Sequence, residues 1–224
     1  MTLDMYFSIE RESEAFARTV ETGALDGRIP GCPAWSLRDL AWHLGGVQQF
    51  WTHAVRAGAD VPPDFDDNVE GPTDPTELAT WLRASTRNLV AGLRAVPPET
   101  PAWAWWRLDH TAGAIARHQV HEAAVHRWDA QSAVGPPEPL AVQVADDGID
   151  EFLWIARQFR ELPAVTLVTT DSGRTIALTD AESAVTVSAT ASDLVLLLYG
   201  RVSADDVQVE GNRVLLDELV QPVD

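Results

Sequence analysis

Apolar residues recur at helical spacing through the first part of the chain and alternate near its end. Tyr6, Ile9, Phe16 and Val20 predict a first amphipathic helix over about 3–22. A turn-rich segment, 27–33, follows. Ser36 stands ahead of Leu37, Leu40, Leu44 and Val47, with Asp39 placed as the second half of a weak capping box, so a second helix is predicted over about 36–57. Residues 58–75 are rich in proline, glycine and acids and predict a long loop. Asp74-Pro75-Thr76-Glu77 then supplies an N-cap and a first-turn proline for a third helix marked by Leu78, Leu82, Leu89 and Leu93 and ended by Pro97-Pro98. Trp103, Trp105 and Trp106 cluster in the next connection. A fourth helix is expected over about 111–133, stopped by Gly135-Pro136-Pro137.

One more helical pattern occupies about 141–160, after which the period changes. Val165, Leu167 and Thr169, then Ile176 and Leu178, alternate around Asp171-Ser172-Gly173 as a hairpin does. Val185–Ala189 is a further strand. Ser192 to Gly200 predicts a short helix with Ser192 as its cap. Val207–Glu210, a Gly211-Asn212 turn and Val214–Leu216 close the chain. The expected class is therefore α+β. An antiparallel four-helix bundle over residues 1–138 is followed by a small α/β or α+β domain over 139–224.

Composition removes several functions. All 16 basic residues are arginine, against 34 acids, for a net charge of −18. Without lysine there is no Schiff-base chemistry, no pyridoxal phosphate anchor and no P-loop. Such acidity argues against nucleic acid or an anionic membrane as partner. No apolar run approaches the roughly 18–20 residues that span a bilayer. The first residues carry no basic and apolar leader, and Cys32 is the single cysteine, so a cytoplasmic location is expected.

The candidate chemistry lies in the histidines at 43, 53, 110, 118, 121 and 126. Glu122 and His126 are four apart, about 40° around a helix, and can share one ion; His118 and Glu122 have the same spacing. His121 and His126 are five apart and cannot chelate together, which also excludes an HExxH zinc protease site. A third ligand must come from another helix, and His43, beside Leu40, Leu44 and Val47, is the best placed. The alternative is a core histidine bonded to a carbonyl or carboxylate. His53 and His110 are expected on the surface or in loops, and no catalytic role is expected of Cys32. The three tryptophans form either a packed loop or the wall of an apolar pocket.

The run Pro33-Ala34-Trp35-Ser36-Leu37-Arg38-Asp39-Leu40-Ala41-Trp42-His43-Leu44, together with His121-Glu122-Ala123-Ala124-Val125-His126-Arg127-Trp128-Asp129, resembles the mycothiol-dependent maleylpyruvate isomerase family of the DinB-like superfamily. Ala191–Arg201 and Val207–Asn212 are similar to that family's small C-terminal domain. The resemblance implies a divalent metal, usually zinc, held by His43, Glu122 and His126; such a donor set also accepts nickel, manganese or iron. It also implies mycothiol as a thiol co-substrate and a small electrophilic substrate, with isomerisation or S-transfer as the reaction. His118, Asp129 and Arg201 are the expected supporting or substrate-binding residues, although Asp129 also suits a structural helix-end role and Arg201 a surface charge. A metal-binding protein without turnover and a zinc hydrolase are the competing functions. The residues leave the oligomeric state open.

Overall fold

The computed structural model describes residues 3–58, 62–65 and 69–220 of the 224-residue chain. Part of the expected loop at 58–75 therefore lies outside the described residues. The chain divides into two compact units, Met1–Glu138 and Pro139–Asp224, and its class is α+β.

The first unit holds four long helices: α1 (Met5–Thr22), α2 (Leu37–Ala57), α3 (Pro75–Arg94) and α4 (Ala112–Ser132). Their starts are set by side chains that accept from otherwise orphaned backbone N–H groups. Asp4 caps α1, Asp74 caps α3 with Pro75 in the first turn, and Thr111 caps α4. For α2 the capping box is complete. Ser36 Oγ accepts from the Asp39 N–H at 3.2 Å, and the Asp39 carboxylate accepts from the Ser36 N–H at 2.8 Å. These bonds from Ser36 hold the Asp39 carboxyl below its ordinary range.

Each of α1 and α2 packs against both α3 and α4. The core between them contains Phe16, Val20, Leu37, Leu40, Leu44, Leu78 and Leu82. Gly45 allows α2 and α3 to approach closely, because a Cβ there would lie 1.9 Å from the Trp81 ring. The turn-rich segment 27–33 contains more structure than its composition predicts. It contributes β1 (Arg28–Ile29), which pairs antiparallel with β2 (Cys32–Ser36). Ile29 is fully buried in the bundle core, and that burial draws the turn into a ladder.

In the second unit, α5 (Val142–Ala156) precedes β3 (Val165–Thr169), β4 (Thr175–Ala177) and β5 (Val185–Ala189). Then come α6 (Ala191–Leu198), β6 (Gln208–Gly211) and α7 (Arg213–Leu219). The sheet order is β4-β3-β5-β6, with β3 parallel to β5 and the outer pairs antiparallel. One expectation is corrected here. The cap of α6 is Thr190, whose hydroxyl accepts from the Asp193 N–H, whereas the Ser192 hydroxyl accepts from the Leu140 N–H at 3.0 Å. The closing residues Val214–Leu216, for which the sequence pattern named no element, lie in a helix capped by Asn212, and Leu216 and Leu219, three apart, bury one face of it. Among the described residues no helix is long and apolar enough to cross a membrane.

Candidate metal centre

Helix α4 carries most of the candidate chemistry, and the capped start of α2 fixes the register of the rest. His43 follows the capping box by two turns, on the side of α2 that also presents Val47, Phe50 and Trp51. Residues 43, 47, 50 and 51 share one face at helical spacing. On α4 the residues 118, 122 and 126 form a line at successive i,i+4 steps.

Packing brings these lines together. His43 Nε2 lies 3.1 Å from Glu122 Oε1, and His126 Nε2 lies 3.2 Å from the same oxygen. One donor atom from each of the three side chains falls within 4.8 Å of the other two. The two imidazole rings meet edge to face with centroids 5.1 Å apart, and Trp35 packs on the other side of His43 at 4.8 Å. Asp129 is fully buried, and its Oδ2 lies 3.0 Å from His126 Nδ1. That contact orients the ring and aims Nε2 at Glu122.

The electrostatics follow from this crowding. Burial works to raise the Glu122 carboxyl, but His126 and His43 beside it outweigh burial and hold it well below the usual carboxylate range. Burial likewise works to lower His126, yet the Glu122 and Asp129 carboxylates push its pKa up to about 9. Without a metal the centre is thus an anionic carboxylate paired with a protonated imidazole. Two imidazole nitrogens and one carboxylate oxygen, converging with an orienting acid behind one ring, are a donor set that suits a divalent ion such as zinc or nickel.

The trio forms part of the lining of a cavity of about 480 Å³, completed by Val47, Phe50, Trp51, Trp103, Trp105 and His118. His118, one turn before Glu122, lies among the Trp51, Trp105 and Trp106 rings at centroid distances of 5.9, 5.9 and 5.2 Å. It is a wall residue of the cavity. Trp103 and Trp105 also line it, while Trp106 is buried behind them.

The remaining candidates separate. His121 is buried on another face of α4. His53 is exposed and stacks on Phe65 with centroids 4.6 Å apart. His110 bonds the Trp106 carbonyl within the tryptophan loop. Arg201 belongs to the second unit, where one Nη donates to the Tyr199 carbonyl at 2.7 Å. Sequence reasoning passed over Phe50 and Trp51 as cavity residues. Their spacing of seven and eight from His43 was the available signal.

The family described as Mycothiol maleylpyruvate isomerase N-terminal domain matches residues 7–131. Two solved structures share the fold over 95% of this chain and 95% of their own. One is the mycothiol-dependent maleylpyruvate isomerase, at 13% identity and a TM-score of 0.73. The other is a histidine-to-alanine mutant of the mycothiol-dependent maleylpyruvate isomerase, at 14% identity and 0.69. No curated protein matches the chain.

Proposed function

The chain belongs to the mycothiol maleylpyruvate isomerase N-terminal domain family, and from that premise we propose a metal- and thiol-dependent enzyme. It joins mycothiol to a small electrophilic substrate, in an isomerisation or an S-transfer. The observation that carries this reading is the convergence of donor atoms from His43, Glu122 and His126 within 4.8 Å, on the wall of a cavity large enough for a small molecule.

In this reading the three side chains hold one divalent ion, zinc or nickel. Three protein ligands leave room for an exogenous one, and the bound cation would favour the thiolate form of a thiol at neutral pH. The protein's own contribution is positional. Glu122, already ionised, offers its oxygen without first losing a proton. His126 gives up one proton to become a ligand, and Asp129 retains the other on Nδ1, so that Nε2 presents its lone pair. Phe50, Trp51, Trp103 and Trp105 line the cavity beside the trio and give the substrate an apolar surface to lie against. In isomerisation, sulfur adds to a conjugated C=C bond, the carbons rotate about the resulting single bond, and sulfur departs with its electron pair as the double bond re-forms. In transfer, the C–S bond is kept and the electron pair that the addition leaves on the neighbouring carbon takes up a proton, replacing the one the thiol lost.

Metal analysis of protein purified without a histidine tag or added metal tests the ligand set. About one ion per chain is expected, falling to a small fraction in both Glu122→Gln and His126→Ala while the helical circular dichroism is retained. Undiminished stoichiometry in both variants refutes the assignment.

A further inference from the structure

We propose that the cavity beside the trio is built to hold a planar, conjugated ring as the body of the substrate. This inference rests on the reading above and narrows its substrate class. The wall facing the ligand combines Phe50 and Trp51 of α2 with Trp103 and Trp105 of the loop before α4. The loop is tied at its base rather than loose. Pro101 and Thr111 form an isolated antiparallel bridge, and the Ala102 N–H donates to the His110 carbonyl at 3.0 Å. Inside it the Trp106 indole N–H donates to the Asp109 carbonyl at 3.1 Å.

Trp105 remains 46% exposed although it borders the cavity. It is nevertheless held from two sides, with the Trp106 and His118 rings at centroid distances of 5.4 and 5.9 Å and near-perpendicular planes. Phe50 and Trp103 are fixed in the same way, at 5.9 Å and 76°. A large apolar ring kept partly in water, in a set orientation, is preorganised for a partner that covers it.

The chemistry of these surfaces selects the partner. Aromatic faces are electron-rich and their edges electron-poor, so another aromatic ring gains from offset or edge-on contact beyond the area it buries. An anionic group laid on the same faces loses its hydration and meets negative charge. A conjugated ring is the partner that these walls favour most.

The test is a calorimetric titration of the metal-loaded full chain with 1-naphthol and with its saturated counterpart, decahydro-1-naphthol. One naphthol per chain is expected, with the saturated alcohol bound about fivefold to tenfold more weakly. Trp105→Ala, at a site too exposed to carry the core, is expected to weaken naphthol severalfold more than it weakens the saturated alcohol, which loses only buried apolar area. Equal affinity for the two alcohols, an unaltered naphthol affinity in Trp105→Ala, or no naphthol binding at millimolar concentration overturns the proposal. The titration reads binding without turnover, whereas the metal assignment is read by stoichiometry, so each fails visibly without the other.

Discussion

Two clusters of buried polar side chains branch from the same stretch of α4, and they are built to opposite purposes. Arg127 faces α1. Its Nε donates to Glu12 at 2.9 Å, and its Nη1 serves Gln131 at 2.8 Å and the Glu138 carbonyl. Arg11 also bonds Glu12. His126, one residue earlier, faces α2 and meets Glu122, His43 and Asp129. In the first cluster opposite charges and hydrogen-bond partners close on one another inside the protein. In the second, two imidazole nitrogens crowd one carboxylate oxygen beside a cavity. A buried charge that its neighbours satisfy acts as structure; convergent donor atoms that border open space form a place for a ligand.

The sharpest way to break this contrast is Arg127→Ala. It takes from Glu12 its buried counter-charge and leaves only the partly exposed Arg11, and a loss of about 1.5–3 kcal/mol in denaturant-measured stability is expected. Replacing both members, Glu12→Leu with Arg127→Met, is expected to recover most of that loss, since paired apolar residues of similar size often match a buried ion pair. A double variant as unstable as Arg127→Ala would show that the cluster does more than neutralise itself.

On the other side of α4, Asp129→Ala is expected to weaken metal binding by about 10- to 100-fold, because the His126 ring loses the partner that sets its tautomer. Competition with a chelator of known affinity measures this. An unchanged affinity would reduce Asp129 to a helix-end residue.

Metal uptake should also depend on pH in a defined direction. His126 is protonated in the metal-free fold up to about pH 9, above its ordinary value. Binding near pH 7 then releases about one proton, and affinity rises by about tenfold per pH unit until His126 deprotonates. The sign for folding is the reverse. A raised imidazole pKa contributes stability that is complete below the unfolded value of 6.5 and is lost as pH climbs towards about 9. Metal-free protein is therefore expected to lose stability across that window, and metal-loaded protein is not. Titrations in buffers of different ionisation enthalpy count the protons; a count of zero removes the His126–Glu122 ion pair from the account.

The smallest effect belongs to neither cluster and calibrates both. Ser36→Ala removes one half of the capping box that starts α2, and about 1 kcal/mol is expected, read by thermal or denaturant unfolding. Metal affinity is expected to hold, because the His43 face is secured further along by Leu40 and Leu44 in the core.

Much of this was present in local order along the chain. The caps at Asp74 and Ser36, the glycine and proline stops, and the change of period after Pro163 are signals carried by a few neighbouring residues, and the elements formed close to where those signals put them. The failures were of another kind. Ser192 reads as a cap until Leu140, 52 residues away, claims its hydroxyl. The segment 27–33 reads as plain turn until the bundle buries Ile29. Phe50 and Trp51 drew no reading from the sequence, because only the tryptophan loop folding opposite them, with a cavity between, gives them a place in the site.

The same division runs through the candidate centre. Helical geometry alone put Glu122 and His126 on one line of α4 and kept His121 off it, because side-chain direction in a helix repeats every 3.6 residues or so. That His43 reaches Glu122 across 79 residues was decided only by how α2 packs on α4. So was the division of labour between His126 and Arg127, adjacent in sequence and turned towards different helices. Local spacing determines which side chains travel together on an element. Which of them meet across elements, and whether they close on each other or border a space, depends on burying apolar faces throughout the unit, and no short stretch of sequence contains that.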